Sequence, residues 1–200
     1  MKKNITKEQI IETALELIKN KSDLRRLNLR EIARTLGCAH TNLYNYFPSY
    51  NDLLWETHAA LQGVFLEMIQ RKMETANTAE LRLSYFFEAI VDMYVSNEGW
   101  FRLSWHEYIG GERPSQDIEA TQRANREINR FASEMWNELS GTYPDPDQTQ
   151  RVLHNTHCYI VGEISNYIFG RALIQNEVEF KAYVTHEATH MFKLFLLNPS

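Results

Sequence analysis

The chain has 200 residues, of which 44% are hydrophobic and 24% charged, a balance typical of a globular protein with one large core or two small ones. It has two cysteines, no long apolar run and no apolar stretch behind its charged start, so we expect no membrane span, no secretion and no disulfide framework. These features predict a protein of the reducing cytoplasm. Glycine and proline are scarce, and an apolar period near 3.6 residues predicts an all-α fold.

The formal net charge of −5 is unevenly divided along the chain. Residues 1–55 hold nine Lys and Arg against six Asp and Glu, whereas residues 56–200 hold twelve against twenty. A basic N-terminal segment followed by an acidic remainder of the chain fits a protein that contacts phosphates with one end. Chance variation of surface charge is the alternative explanation.

Three helices are predicted in the first 48 residues. Thr6, with a glutamine three positions on, has the spacing of a capping box and starts a helix at about 7–20. Asn28, with a glutamate three positions on, starts the second helix, L-R-E-I-A-R-T-L, which Gly37 ends. The third helix, H-T-N-L-Y-N-Y-F, stops before a proline. Two short helices joined by a tight turn and packed on a longer one form a helix-turn-helix.

The third of these helices has the composition of a DNA-reading helix. Leu43 and Phe47 lie four positions apart, so we expect them to anchor the helix to the core. Its other positions carry hydroxyl, amide and imidazole groups and no acid, which suits base edges and phosphate oxygens. These positions are His40, Thr41, Asn42, Tyr44, Asn45 and Tyr46.

In these residues the sequence resembles the tetracycline-repressor (TetR) family of bacterial transcription regulators. The similarity runs from about Lys7 to Leu54 and rests on A-L-E-L-I, L-N-L-R-E-I-A-R-T-L-G and N-L-Y-N-Y-F-P-S-Y-N-D-L-L. It implies a helix-turn-helix domain over residues 1–48, a ligand-binding and dimerisation domain over residues 49–200, and about nine helices. The resemblance also implies which residues face DNA: Asn28, Arg30, His40, Thr41, Asn42, Tyr44, Asn45, Tyr46 and Tyr50.

Three positions depart from the family pattern. Ala39 stands where a capping serine is common, which predicts a less sharply defined start of the third helix. Tyr50 replaces a frequent lysine and therefore offers phosphate a hydroxyl instead of a charge. No glycine follows the first helix, and we expect Asn20 to serve as its left-handed cap.

The second domain is predicted to be helical throughout. Ser49 and Asp52 have the spacing of a third capping box, which opens a long fourth helix. Breaks between the later helices are predicted at Thr78, at Gly99, at 110–114 and at 141–147. The remaining helices are predicted at 79–97, 100–108, 116–139, 148–174 and 178–197.

Aromatic and sulfur side chains are concentrated in this second domain. The simplest interpretation is that they form the core. A bulky, adaptable core is also how a pocket for a flat or hydrophobic ligand is built, so we predict an effector site among them. The predicted lining residues are Phe87, Tyr94, Trp105, His106, Tyr108, Trp136 and Tyr159.

Near the end of the chain, His186-Glu187-Ala188-Thr189-His190 spells H-E-x-x-H, a pattern with which many zinc peptidases hold their metal on a helix. A zinc peptidase also needs a third protein ligand, and the ten residues after His190 contain no histidine, aspartate or glutamate. We therefore expect no catalysis, no metal and no other cofactor. A zinc-dependent peptidase is the alternative interpretation of this motif.

Apolar stripes on the last two helices predict a partner surface. The stripe of the last helix runs through Phe180, Val184, Met191 and Phe195. Burying it between two copies favours a homodimer, and the resemblance implies a four-helix bundle. Such a dimer would place two reading helices one DNA turn apart on a palindromic operator.

Together these patterns predict a cytoplasmic, non-enzymatic transcription regulator, and they favour a repressor over an activator. Its expected partners are double-stranded operator DNA, a second copy of the chain and a small hydrophobic or aromatic effector that releases the DNA, with no membrane partner.

Overall fold

The computed structural model describes residues 5–197, and in this range the chain forms helices and connecting turns without a strand. A 3-10 helix at His40–Asn45, here called the reading segment, stands where the third helix was predicted, and a 3-10 turn covers Leu24–Arg26. With the reading segment the described chain has nine helices, so the all-α prediction is confirmed. The α-helices are α1 (Lys7–Ile18), α2 (Leu29–Leu36), α3 (Tyr50–Glu74), α4 (Ala79–Ser96), α5 (Glu98–Trp105), α6 (Ser115–Ser140), α7 (Pro146–Ile168) and α8 (Glu177–Leu197).

Side-chain caps start the helices where the sequence predicts them. Thr6 accepts a hydrogen bond from the Gln9 backbone N–H, and the Gln9 side chain accepts one from the Thr6 N–H. Asn28 accepts from the N–H groups two and three positions on. The Ser49 N–H donates to Asp52 at 2.8 Å, and the Asp52 N–H donates to Ser49 at 3.2 Å. These bonds satisfy backbone donors that have no partner inside the first turn of a helix.

One predicted helix end is confirmed and two differ from the prediction. Gly37 ends α2 in the left-handed region with φ 71°, as expected. Asn20 is not left-handed, because every described residue with positive φ is a glycine. The carbonyls at the end of α1 are instead partly satisfied by donors of α5. The helix α7 ends at Ile168, six residues before the predicted end at position 174. It ends there because Gly170 adopts φ 68° and closes a left-handed turn.

The described helices form two compact units. The first comprises the chain up to Val64 together with Asn97–Gln122, so it contains α1, α2, the reading segment, the beginning of α3, α5 and the beginning of α6. The second comprises Phe65–Ser96 and the chain from Arg123 onward, and therefore contains α4, α7 and α8. These units are defined by the packing of the helices. The predicted boundary at residue 48 divides the chain by function instead, and it stays a prediction.

The second unit is held together mainly by α8, which packs on α4 and α7. Four apolar residues of α8, spaced four apart, are buried against these helices: Phe180, Val184, Ala188 and Phe192. Phe180 and Val184 therefore belong to the core of one chain, although the sequence assigns them to a partner surface. Met191 and Phe195 of the predicted stripe remain partly exposed.

Candidate nucleic-acid interface

The reading segment is anchored to the first unit by two side chains. Leu43 is fully buried and Phe47 is 1% exposed, as the four-residue spacing predicts. The ammonium of Lys7 lies 5.7 Å from the centre of the Phe47 ring and also pairs with Glu56 of α3. Ala39 provides no side-chain cap, and the segment forms a 3-10 helix, which agrees with the expected weak helix start.

The opposite side of the reading segment is exposed and polar. Tyr44 is 52% exposed, and its ring meets His40 edge-on at 6.4 Å. Thr41, Asn42 and Asn45 are exposed beside them. No acidic residue occurs between positions 32 and 51, so no carboxylate of this stretch would repel a phosphate.

Two of the predicted DNA-contacting tyrosines use their hydroxyl groups within the protein. The Tyr46 hydroxyl donates to the Ile5 carbonyl at 2.5 Å, and the Tyr50 hydroxyl donates to the Leu24 carbonyl at 3.2 Å. Burial raises the pKa of Tyr50, and the negative charges of nearby Glu107 and Glu31 raise it further. Both hydroxyls therefore bond to the backbone of earlier segments of the first unit, and their DNA contacts stay a prediction.

Two exposed cations lie on α2, the helix that packs against the reading segment. Arg30 and Arg34 are exposed and lie one helical turn apart. The side-chain oxygen of Asn28 is used as the helix cap, which leaves its amide N–H groups for other contacts. Lys21, in contrast, donates to Glu31 at 3.1 Å, so part of its charge is neutralised within the unit.

A close contact between α5 and the end of α1 was not predicted from the sequence. The Gly99 N–H donates to the Lys19 carbonyl at 3.0 Å, and the indole N–H of Trp100 donates to the Leu15 carbonyl at 2.9 Å. A methyl group on Gly99 would lie 1.7 Å from the Ile18 carbonyl oxygen. Glycine is therefore required at this position, although the sequence interprets it as a break between helices.

A buried polar cluster ties α3 to α6 within the first unit. The Nδ1 atom of His58 lies 2.6 Å from one carboxylate oxygen of Asp117, and Arg113 Nε donates to the other at 2.6 Å. Burial acts to raise the pKa of Asp117, but the hydrogen bonds from His58 and Arg113 outweigh it and lower the pKa. Asp117 is only 1% exposed, and the hydrogen bonds with His58 and Arg113 compensate for the burial of its carboxylate.

The structure places four of the seven predicted effector residues in the second unit. Phe87 and Trp136 meet Phe192 with ring centres 5.9 and 5.7 Å apart, and Tyr94 stacks on Phe65 at 5.7 Å. The fourth is Tyr159 of α7, whose pKa is raised by burial and by nearby Tyr183. Phe87, Tyr94 and Trp136 are almost completely buried, so they form core in this state.

The other three predicted effector residues belong to the first unit. Trp105 is 46% exposed and Tyr108 is 88% exposed. Burial lowers the pKa of His106, and the nearby charge of Arg102 lowers it further. The seven residues are therefore not grouped within one unit, and their part in ligand binding stays a prediction.

A groove with a volume of about 480 Å³ lies in the second unit, between α4 and α8. Its walls include Glu88, Asp92, Lys181, Thr185 and His186. None of the predicted effector residues lines it.

The H-E-x-x-H motif lies on α8 with its histidines in solvent. The His186 side chain is 77% exposed, and its Nε2 atom lies 3.9 Å from the Glu187 carboxylate. Within residues 5–197 no three His, Cys, Asp or Glu side chains are grouped so that they could hold a metal ion. The third protein ligand that a catalytic zinc site needs is thus not brought to the motif by the folding of one chain.

No helix in the described part of the chain is both long and apolar enough to cross a membrane.

Solved structures of transcription regulators resemble the chain over nearly its whole length. A variant of TetR from Acinetobacter baumannii AYE, in complex with minocycline, matches with a TM-score of 0.66 and 20% identity, covering 98% of this chain and 99% of that one. A TetR transcriptional regulator from Legionella pneumophila matches with a TM-score of 0.64 and 16% identity, covering 95% and 98%. FadR from Bacillus subtilis, in complex with stearoyl-CoA, matches with a TM-score of 0.63 and 15% identity, covering 92% and 98%.

No family model and no curated protein sequence matches the chain. The structural similarity establishes that the chain has the fold of the TetR-family transcriptional regulators.

Proposed function

We propose that this protein is a ligand-responsive transcription regulator of the TetR family, most simply a repressor. Two copies bind a palindromic operator, and a small hydrophobic or aromatic effector releases it. The observation that carries the proposal is the exposed, acid-free face of the reading segment, held in place by buried Leu43 and Phe47.

This face has the groups that DNA recognition needs. Amide side chains such as those of Asn42 and Asn45 can pair with adenine edges in the major groove. The hydroxyl of Tyr44 and the guanidinium groups of Arg30 and Arg34 can bind phosphates, which position the protein without reading sequence. A helix-turn-helix dimer reads two half-sites about one DNA turn apart, so the operator should be palindromic.

The effector part of the proposal is supported by the second unit and by the similar structures. Minocycline and stearoyl-CoA, the ligands of two of them, both have large apolar portions. The second unit here has closely packed aromatic rings around Phe87, Tyr94 and Trp136. A ligand that enters this core and favours the state that does not bind DNA would lower operator affinity by about 5- to 150-fold, the usual range of allosteric coupling.

The proposal is tested by selecting DNA that the purified protein binds from a library of genomic fragments. We expect an enriched palindrome whose affinity falls steeply with salt. Asn42→Ala should reduce its selection, while Asn125→Ala, an exposed asparagine on α6 of the second unit, should not. Recovery of random fragments alone would contradict sequence-specific regulation.

A further inference from the structure

The helix α8 has two stripes of residues, each spaced four apart and lying on nearly opposite faces. The stripe that ends at Phe192 is buried in the core of the second unit. The other is exposed, and its members are Val178, Ala182, His186, His190 and Leu194. Val178 is 77% exposed and Leu194 45%, so apolar side chains flank a central pair of histidines.

The two histidines are already arranged side by side. Their rings are nearly parallel, with an interplanar angle of 7°, and the ring centres are 6.4 Å apart. Two nitrogen ligands of one tetrahedral zinc ion lie about 3.3 Å apart, because each Zn–N bond is about 2.0 to 2.1 Å long. The rings must approach each other by roughly 1 Å to share an ion. Rotation about the χ angles of exposed side chains permits this movement.

One chain supplies two ligands at this place, whereas a closed zinc site has four. No further group of ligand side chains completes the pair within the described residues of one chain. The pair occupies the middle of α8, which spans Glu177–Leu197, and the middle of its exposed stripe. A two-fold contact between the centres of two α8 helices would therefore bring both histidine pairs together.

We propose that His186 and His190 bind a zinc-class divalent cation together with the same two residues of a second copy. This inference rests on the dimer of the proposed function and names a metal that joins its subunits. Four histidine ligands leave no open position for water, so the ion holds the subunits together without hydrolytic activity. In this arrangement Glu187 acts neither as a ligand nor as a base, so the H-E-x-x-H pattern serves subunit contact instead of peptide hydrolysis.

A second pair of potential ligands on α7 provides a comparison. The Nε2 atom of His154 lies 3.7 Å from the Cys158 sulfur, and both residues are exposed. This pair could also chelate zinc. Its position on a different helix makes a double substitution there a suitable control.

The experiment is a titration of the metal-free full-length protein with zinc chloride, followed by calorimetry and by sedimentation velocity. We expect one ion for every two chains and a tighter dimer when zinc is added, seen as a dimer that persists at lower protein concentrations. His186→Ala and His190→Ala should each weaken zinc binding at least about a hundredfold, because each removes two of the four ligands from the dimer. Glu187→Gln and the double variant His154→Ala/Cys158→Ser should bind like the wild type.

Both histidines are exposed, so folding should be unchanged in their variants, and circular dichroism verifies this. Three results would overturn the inference: no zinc binding, one ion per chain without any effect on assembly, or binding that is lost in the α7 double variant and kept in the α8 variants. Selection of a palindromic DNA by a dimer that ignores zinc would remove this inference and leave the proposed function. Zinc-linked dimers that select no DNA would support this inference and contradict the proposed function.

Discussion

Replacing Gly99 with alanine would place a methyl group where the backbone of α1 already lies. The added carbon would be 1.7 Å from the Ile18 carbonyl oxygen, and protein carbons of this kind essentially never approach closer than 3.0 Å. The beginning of α5 must therefore move away from α1 by more than about 1 Å.

That movement breaks two hydrogen bonds. The 3.0 Å bond from the Gly99 N–H to Lys19 and the 2.9 Å bond from the Trp100 indole to Leu15 would both exceed hydrogen-bonding distance. A buried polar group left without a partner costs about 1 to 3 kcal/mol, so the two together cost about 2 to 6 kcal/mol. For a chain of this size, the melting temperature should fall by roughly 5 to 20 °C.

Thermal unfolding followed by circular dichroism measures this loss directly. Gly63→Ala is the matched control, because Gly63 lies inside α3 and an added methyl group would meet no atom within 4 Å. It should stabilise the protein by about 0.5 to 1 kcal/mol, the usual advantage of alanine inside a helix. A Gly99→Ala protein that melts within a degree of the wild type would refute the close packing of α5 on α1.

Three further predictions concern the DNA contacts, the dimer and the response to pH. Tyr44→Phe should weaken binding to all DNA alike, because its hydroxyl is assigned to phosphate. Asn45→Ala should mainly reduce the discrimination between operator and random duplex in gel-shift titrations. Equal losses on both duplexes for Asn45→Ala would contradict its assignment to a base. Leu194→Asp would place an unpaired charge on the exposed stripe of α8, which is the proposed interface, so sedimentation should show monomers or aggregates, while an unchanged dimer would mean that the interface lies elsewhere. Burial lowers the pKa of His157 from 6.5 to about 4, so the unfolded chain takes up a proton first as the pH falls. The free energy of unfolding should therefore be unaffected by this group above about pH 7 and should fall by up to about 3 kcal/mol between about pH 6.5 and 4. His157→Gln should flatten that dependence in denaturant titrations, and an unchanged slope would show that other groups cause it.

Local sequence patterns were enough to predict the helices of this protein. Capping residues such as Thr6, Asn28 and Ser49 mark helix starts because they satisfy donors two or three positions away. The burial of Leu43 and Phe47 follows from a four-residue spacing that places both on one face. Each of these features depends on residues within one or two helical turns, so the order of the helices and the starts marked by these caps could be predicted.

Contacts between distant parts of the chain could not be predicted in this way, because they depend on how the helices pack. Trp100 bonds to a carbonyl 85 positions away, Tyr46 to one 41 positions away, and His58 to a carboxylate 59 positions away. No local pattern specifies such partners. For this reason the sequence indicated Gly99 only as a break between helices, and it could not predict the bond from the Tyr46 hydroxyl to the Ile5 carbonyl.

The same distinction holds for the predicted DNA-binding face and for the predicted effector site. The exposed face of the reading segment could be predicted because its anchors and polar groups lie within eight positions of one another. The predicted effector residues span positions 87 to 159, and folding buries Phe87 in one unit while it leaves Tyr108 of the other 88% exposed. Aromatic composition shows that a core exists, but the packing of helices decides which side chains enter it.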